Sequence, residues 1–308
     1  MIPFILRKTL YALSVLLGVI TATFVITYVL PGDPARLMLG QRADAASVAA
    51  LRQQLGLDRP LPVQYGDYLL KLVQGDMGRS FSTTRDVLGT IVERFPATAL
   101  LSLSAMSIST VLGILLGVVA ASRPNSWLDA SLMGTALLGI SLPSFVVGTM
   151  FLLLFGVTLK WLPISGYIDR GWEHLILPMT TLALRPLSVI ARVTRSSMLE
   201  ALGQDYIRTA KAKGAKTGAI LLRHALRNAL NPVITTVSSW LAGVLAGTVF
   251  IEYIFNWPGI GTVALDAILK LDYPMIQGTV QFTAVIFVLV NLVVDILYAF
   301  LDPKVKLS

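Results

Sequence analysis

The sequence predicts an all-α polytopic membrane protein with six transmembrane helices. A small external cap segment follows the first helix, and a short amphipathic helix lies between the fourth and the fifth. Three observations predict this. Of 308 residues, 55% are hydrophobic and only 14% are charged, whereas soluble domains carry about 25% charged residues. The missing charge is concentrated in long uncharged runs, and about 20 helical residues suffice to cross the ~30 Å hydrocarbon core. The Lys and Arg between those runs are divided unequally between the two sides.

Five runs contain no Asp, Glu, Lys or Arg: 9–30, 95–122, 130–159, 228–251 and 273–294. The last is expected to continue past Asp295 to about residue 300. A sixth span, 174–193, is interrupted by Arg185 and Arg192. The first run follows Arg7 and Lys8 like a signal peptide, but it is long for one. Pro31-Gly32-Asp33-Pro34 follows it instead of a small-residue cleavage site, so it reads as a retained helix.

With the N-terminus placed in the cytoplasm, the inside segments hold Arg7, Lys8, Arg123, Arg192, Arg195, Arg208, Lys211, Lys213, Lys216, Arg223, Arg227, Lys304 and Lys306. The two short outside loops hold only Lys160, Arg170 and Lys270. This bias puts both termini in the cytoplasm. The organisation expected is a first helix (1–30), an external cap (31–94), a five-helix core (95–300) containing a cytoplasmic loop at 194–227, and a cytoplasmic tail (301–308). The cap carries eight basic and seven acidic residues, and Asp44 is placed to cap a short helix that runs through Leu55 and stops at Gly56.

Much chemistry is excluded. There is no cysteine, hence no disulfide, thiolate metal site or Cys nucleophile. No Gly-Lys dipeptide occurs, so the chain has no phosphate-binding loop of its own, and HExxH, GxSxG and GxGxxG are absent. Nothing points to a metal or to nucleic acid. Asp295 is the one clear intramembrane acid, whereas ion-driven carriers usually need several ionisable groups or broken helices near mid-membrane. Active transport by this chain would draw its energy from another subunit.

The informative stretch runs from Asp205 to Gly214. At about 100° per residue, Tyr206, Ile207, Ala210 and Gly214 share one helical face, opposite Arg208, Lys211, Ala212 and Lys216. Asp205 is placed to cap the helix, with Arg208 one turn on. A basic amphipathic helix can lie on anionic lipid. Lipid anchoring favours bulky apolar residues, whereas alanine, glycine and one tyrosine suit close contact with a protein.

Other residues leave two readings open. Gly113-x3-Gly117 and Gly243-x3-Gly247 suit close helix packing or an interface with a partner. Pro143 in span three is a structural kink or a gating hinge. Arg185 and Asp295 each lie seven residues before a charged residue at the end of spans four and six, Arg192 and Asp302. Arg185 therefore snorkels to the interface, pairs with Asp295, or lines the path and meets a substrate carboxylate. The turn Glu252 to Gly261, with Trp257-Pro258-Gly259, is a plain interfacial loop, part of an outer gate, or a contact for an external protein.

The run Asp205-Tyr-Ile-Arg-Thr-Ala-Lys-Ala-Lys-Gly214, followed by His224-Ala-Leu-Arg227-Asn228-Ala-Leu-Asn-Pro232, resembles the cytoplasmic coupling loop of ABC importer permeases of the dipeptide, oligopeptide and nickel family. The general loop has Glu-Ala-Ala six residues before its glycine, and Arg208, Thr209 and Ala210 stand there instead. The resemblance extends through Leu30-Pro31-Gly32-Asp33-Pro34, Leu55-Gly56-Leu57-Asp58-Arg59-Pro60-Leu61, Gly75-Asp76-Met77-Gly78, Ser141-Leu142-Pro143, Phe255-Asn-Trp257-Pro258-Gly259-Ile260-Gly261 and Asp295-Ile-Leu-Tyr298-Ala-Phe-Leu-Asp302-Pro303. It implies the first of two paired permeases in a bacterial inner membrane, not itself an enzyme. Its partners would be a homologous second permease, two ATP-binding subunits that hold the ATP and Mg, and an external substrate-binding protein. The expected ATPase contacts are Asp205, Tyr206, Arg208, Thr209, Ala210, Lys211, Lys213 and Gly214, on a helix running from Tyr206 to Lys216. The resemblance extends to carriers of dipeptides, oligopeptides, glutathione or chelated nickel. The alternative is a stand-alone secondary transporter or channel.

Overall fold

The structure, a computed structural model, describes residues 2–28, 35, 44–246 and 248–301. The Leu-Pro-Gly-Asp-Pro motif, Gly247, Asp302-Pro303 and the tail lie outside the described residues. In chain order the α-helices are α1 (Ile2–Tyr28), α2 (Ala45–Leu55), α3 (Leu61–Val73), α4 (Val87–Ser122), α5 (Trp127–Ser141), α6 (Ser144–Phe151), α7 (Ile176–Leu202), α8 (Asp205–Ala212), α9 (Thr217–Ala219), α10 (Leu226–Ala246), α11 (Val249–Ile254), α12 (Ile260–Leu269) and α13 (Tyr273–Leu301). π-Helical segments continue α6 through Leu152–Thr158 and join α9 to α10 through Ile220–Ala225. No strand occurs among the described residues, only an isolated bridge between Arg79 and Asp86.

Among the described residues, five helical stretches are long and apolar enough to cross a bilayer: Leu6–Thr27, Val87–Ser122, Trp172–Leu202, Thr217–Ala246 and Tyr273–Ile296. Span three completes the expected six only as a broken pair, α5 and α6, bent by 103°. The run 130–159 is therefore not one helix. Proline disfavours the α conformation in the residue before it, and Leu142 is extended at ψ 134°, with Pro143 alongside at ψ 134°. Pro143 thus starts a new helix rather than kinking an existing one.

Other boundaries move because polar residues continue helices that the apolar runs only nucleate. α4 starts at Val87, eight residues before the uncharged run, where the Asp86 carboxylate accepts from the Gly89 N–H at 2.6 Å. α7 continues nine residues past the expected 193. The fifth span begins at Thr217 and ends at Ala246, and 249–254 is a separate helix rather than its end. α2 forms as expected: Asp44 accepts from the Ser47 N–H at 3.1 Å, and Gly56 ends the helix with φ 69°.

The chain divides into two compact units, Met1–Pro96 with Gly259–Ser308, and Ala97–Pro258. In the first, α1 pairs with α13, and Val87, Ile91, Ile260, Ala267 and Met275 form the core. The 76–86 loop is held by Asp272, whose carboxylate accepts from the Ser80 hydroxyl at 2.5 Å, the Ser82 hydroxyl at 2.8 Å and the Phe81 N–H at 3.1 Å. In the second unit, α7 is the central helix, packed against α5, α6, α10 and α11. One apolar cluster there gathers Leu101, Leu177, Ile190, Val233, Phe255 and Trp257. Another gathers Val118, Met198, Ala201, Ile207, Ile220 and Ala229. Many bulky apolar side chains along the spans stay exposed, among them Leu10, Leu13, Leu17, Leu103 and Leu115. Such a surface suits lipid or other transmembrane helices.

Candidate functional site

The residues singled out by sequence cluster on α8 and around it. α8 is eight residues long, too short to be stable in isolation. Its root is Ile207, fully buried among residues of α4, α7, the 220–225 segment and α10. With Ile207 committed inward, Asp205, Tyr206, Arg208, Thr209 and Lys211 face outward, and Tyr206 is 39% exposed. Ala210 is half-buried. The small-plus-aromatic face expected from the helical wheel is thus split: its isoleucine anchors the helix to its own chain, and its tyrosine remains available.

Both ends of α8 differ from expectation. The N-cap is Gln204, with no side-chain cap bond. Asp205 is the first helical residue and pairs instead with Arg208 at 3.2 Å, both strongly exposed. The helix stops at Ala212 rather than Lys216. Gly214 has φ 81°, its N–H donates to Lys211 at 2.9 Å, and the Ala215 N–H donates to Ala210 at 3.1 Å. This is a Schellman termination, which needs a left-handed residue that glycine supplies without strain. Lys213 and Gly214 therefore belong to an exposed turn. The result is a short, firmly ended helix with an aromatic hydroxyl and three cations (Arg208, Lys211, Lys213) outward. It offers donors and a flat ring to a partner surface, and no acid–base pair for chemistry.

The other candidates separate. Asp295 pairs with Lys8 of α1 at 2.7 Å, a link between the first and last helices. Arg185 is exposed and its guanidinium carbon lies 6.0 Å from the Trp240 ring centroid, within cation–π range. Glu252 and Trp257 are both fully buried. Glu252 accepts from the Thr98 and Thr248 hydroxyls at 2.7 and 2.6 Å. Trp257 donates to the Ala97 carbonyl at 2.8 Å and stacks edge-on with Tyr167. Both side chains therefore point into the protein in this conformation, which the sequence of an interfacial turn does not show. Gly259 is buried too, and Pro258 is half-buried. Gly113 and Gly117 serve packing: a Cβ on Gly117 would fall 2.5 Å from Thr194 Cβ.

Sequence reasoning missed one feature near α8. Asp129 is buried and accepts from both Nε and Nη2 of Arg195, at 2.5 and 2.6 Å. The signal was faint: Ser126 and Asp129 have capping-box spacing, and Ser126 Oγ does accept from the Asp129 N–H at 3.2 Å. The partner, 66 residues away, carries no such mark. Among the described residues, no group of three or more His, Asp or Glu could hold a metal ion.

A family model described as "Binding-protein-dependent transport system inner membrane component" matches residues 113–307, and a model of the N-terminal part of such components matches residues 1–103. The chain belongs to this family. The glutathione transport system permease protein GsiC of Salmonella choleraesuis is 42% identical to this permease over 306 residues, 99% of either chain. The dipeptide transport system permease protein DppB of Alkalihalophilus pseudofirmus is 40% identical over 332 residues, 99% of this chain and 100% of that one. The permease is thus a multi-pass inner-membrane component of an ABC-type transport system, which works with partner subunits.

Proposed function

We propose that this chain is the pore-forming permease subunit of an ATP-driven, binding-protein-dependent importer of peptides or a related small solute: a dipeptide, an oligopeptide, glutathione or a nickel chelate. It pairs with a homologous second permease, receives substrate from an external binding protein, and is driven by two ATP-binding subunits that hold the ATP and Mg. Both termini lie in the cytoplasm. The observation that carries this reading is α8, rooted by Ile207 and presenting Tyr206, Arg208, Thr209 and Lys211 outward. A rigid, capped helix transmits a push from an ATPase groove, whereas a flexible loop absorbs it. Asp205, Ala210, Lys213 and Gly214 complete the contact by shaping its edges. Relatives named as glutathione and dipeptide transport permeases support the substrate class.

Arg185, exposed beside Trp240, is the path residue best placed to meet a substrate carboxylate. Pro143 supplies a hinge in span three, and Asp295 holds α13 to α1 at the side of the path.

The test is reconstitution of the complete complex, with uptake measured with and without ATP, and a cysteine placed at Thr209 for cross-linking. The expected result is ATP-dependent uptake and cross-links to an ATPase subunit. Uptake by this chain alone on an ion gradient overturns the reading. So does an uptake-competent complex in which position 209 never meets an ATPase.

A further inference from the structure

We propose that the Asp129–Arg195 pair locks α5 to the same moving body as α8, which puts the flexing point of span three at Leu142-Pro143. The proposal rests on the coupling function of α8. Asp129 is saturated: it takes a two-pronged bond from Arg195, and the Asn125 N–H donates to Oδ2 at 3.0 Å. Its side chain is only 4% exposed. A forked pair is geometrically specific, and losing Arg195 leaves the Asp129 charge stranded in a buried site.

The lock has a second point. A Cβ on Gly139 would lie 2.3 Å from Ser188 Oγ and 3.3 Å from the Leu184 carbonyl oxygen, so α5 and α7 touch closely there as well. Ten residues of α5, about 15 Å, are thus held against the segment of α7 from Leu184 to Arg195. That same end of α7 contributes Met198 and Ala201 to the cluster that buries Ile207.

α6 is held elsewhere. Gly148 packs on Thr181, Ile251 and Phe255, on the opposite end of α7 and on α11 and the turn after it. Between Thr181 and Ser188, α7 contains Pro186, which lacks the N–H that would bond the preceding turn. Proline marks both helices near the division: Pro143 lies between α5 and α6, and Pro186, inside the continuous α7, cannot donate the helical hydrogen bond to the Leu182 carbonyl. One body comprises α5, residues 184–202 and α8. The other comprises α6, residues 176–181 and α11. Asp129 and Arg195 are positioning residues, because they make the first body single.

The experiment uses spin labels, for which a chain without cysteine is convenient. In the assembled complex, one sample carries labels at Leu137 on α5 and Lys211 on α8, and a second at Met150 on α6 and Lys211. Distances are read by pulsed EPR in nucleotide-free and ATP-trapped states. The expected result is an unchanged 137–211 distance and a changed 150–211 distance. Asp129→Asn should make the 137–211 distance broad and nucleotide-dependent while the complex still binds its ATPases. Arg195→Lys, which keeps the charge but not the fork, should give the same change in weaker form if Asp129→Asn does not assemble. A 137–211 distance that shifts with ATP in the unmodified pair overturns the proposal, as does one that stays narrow and fixed in both assembled variants. An ATP-trapped complex in which neither distance shifts overturns the coupling reading instead.

Discussion

Two segments outside the long apolar runs are held in opposite ways. The 76–86 loop is tied by a polar knot, with hydroxyls and backbone N–H groups converging on the buried carboxylate of Asp272. The 203–216 segment is held by one buried aliphatic side chain, Ile207, and a glycine stop, and nearly all its polar atoms face outward. A polar knot fixes geometry but depends on ionisation. An aliphatic plug is insensitive to pH and frees the charged side chains for docking. The contrast suits a loop that must hold its shape and a helix that must present a surface.

The strongest way to break this contrast is Ile207→Glu. A carboxylate cannot replace the plug without a partner, so α8 should leave its cluster, with at least tenfold loss of ATP-driven uptake and loss of ATPase co-purification while unit one keeps its protease resistance. Next is Asp272→Ala, which strands the hydroxyls and N–H groups of the loop. About 3 kcal/mol of stability should be lost, visible as faster proteolysis within 76–86 and unchanged hydrogen exchange in α8.

pH sharpens the comparison without mutation. Burial opposes the Asp272 charge, but the Ser80 and Ser82 hydroxyls and the Phe81 and Ser82 N–H groups outweigh it and hold the carboxyl below the ordinary carboxylate range. A depressed pKa adds stability that is present above the unfolded value of about 3.9 and lost as pH falls through the folded value. Protection of the amides at 80–83, relative to their intrinsic exchange rates, should therefore fall below about pH 4, while protection of 207–212 should not follow the same titration.

Smaller effects come from the helix ends. Gly214→Ala forces a side chain into φ 81°, in open space, and should cost about 1 kcal/mol, read as a lower melting temperature of the purified permease. Arg208→Ala removes only an exposed pair and should leave melting unchanged. Weaker ATPase stimulation by this variant would show that the outward face of α8, rather than its stability, is what matters.

How much was legible follows from the range of each interaction. Hydropathy is local, so spans one and two and the last span were placed to within a few residues at their apolar centres. The cap of α2 was legible because Asp44 bonds a residue three positions on. α8 was recognisable as an element, but its ends were misread: Asp205 is as plausible at the cap as one residue inside it, and an i,i+4 face continues on paper past a glycine that turns the chain away. The break in span three was half legible, since Leu142-Pro143 marks a defect but not a turn of 103°.

The amino-acid order alone determined that the chain lives in a bilayer, how many times apolar segments recur, and where a short basic helix interrupts them, because burial in lipid and helical period act on neighbouring residues. Only the tertiary structure decided that Ile207 turns inward while Tyr206 does not, that Asp295 meets Lys8, that Glu252 and Trp257 are buried, and that Asp129 grips Arg195. Each of those choices joins groups far apart along the chain, and two charges or two apolar faces carry nothing in their own sequence that says which of several partners packing will bring within reach.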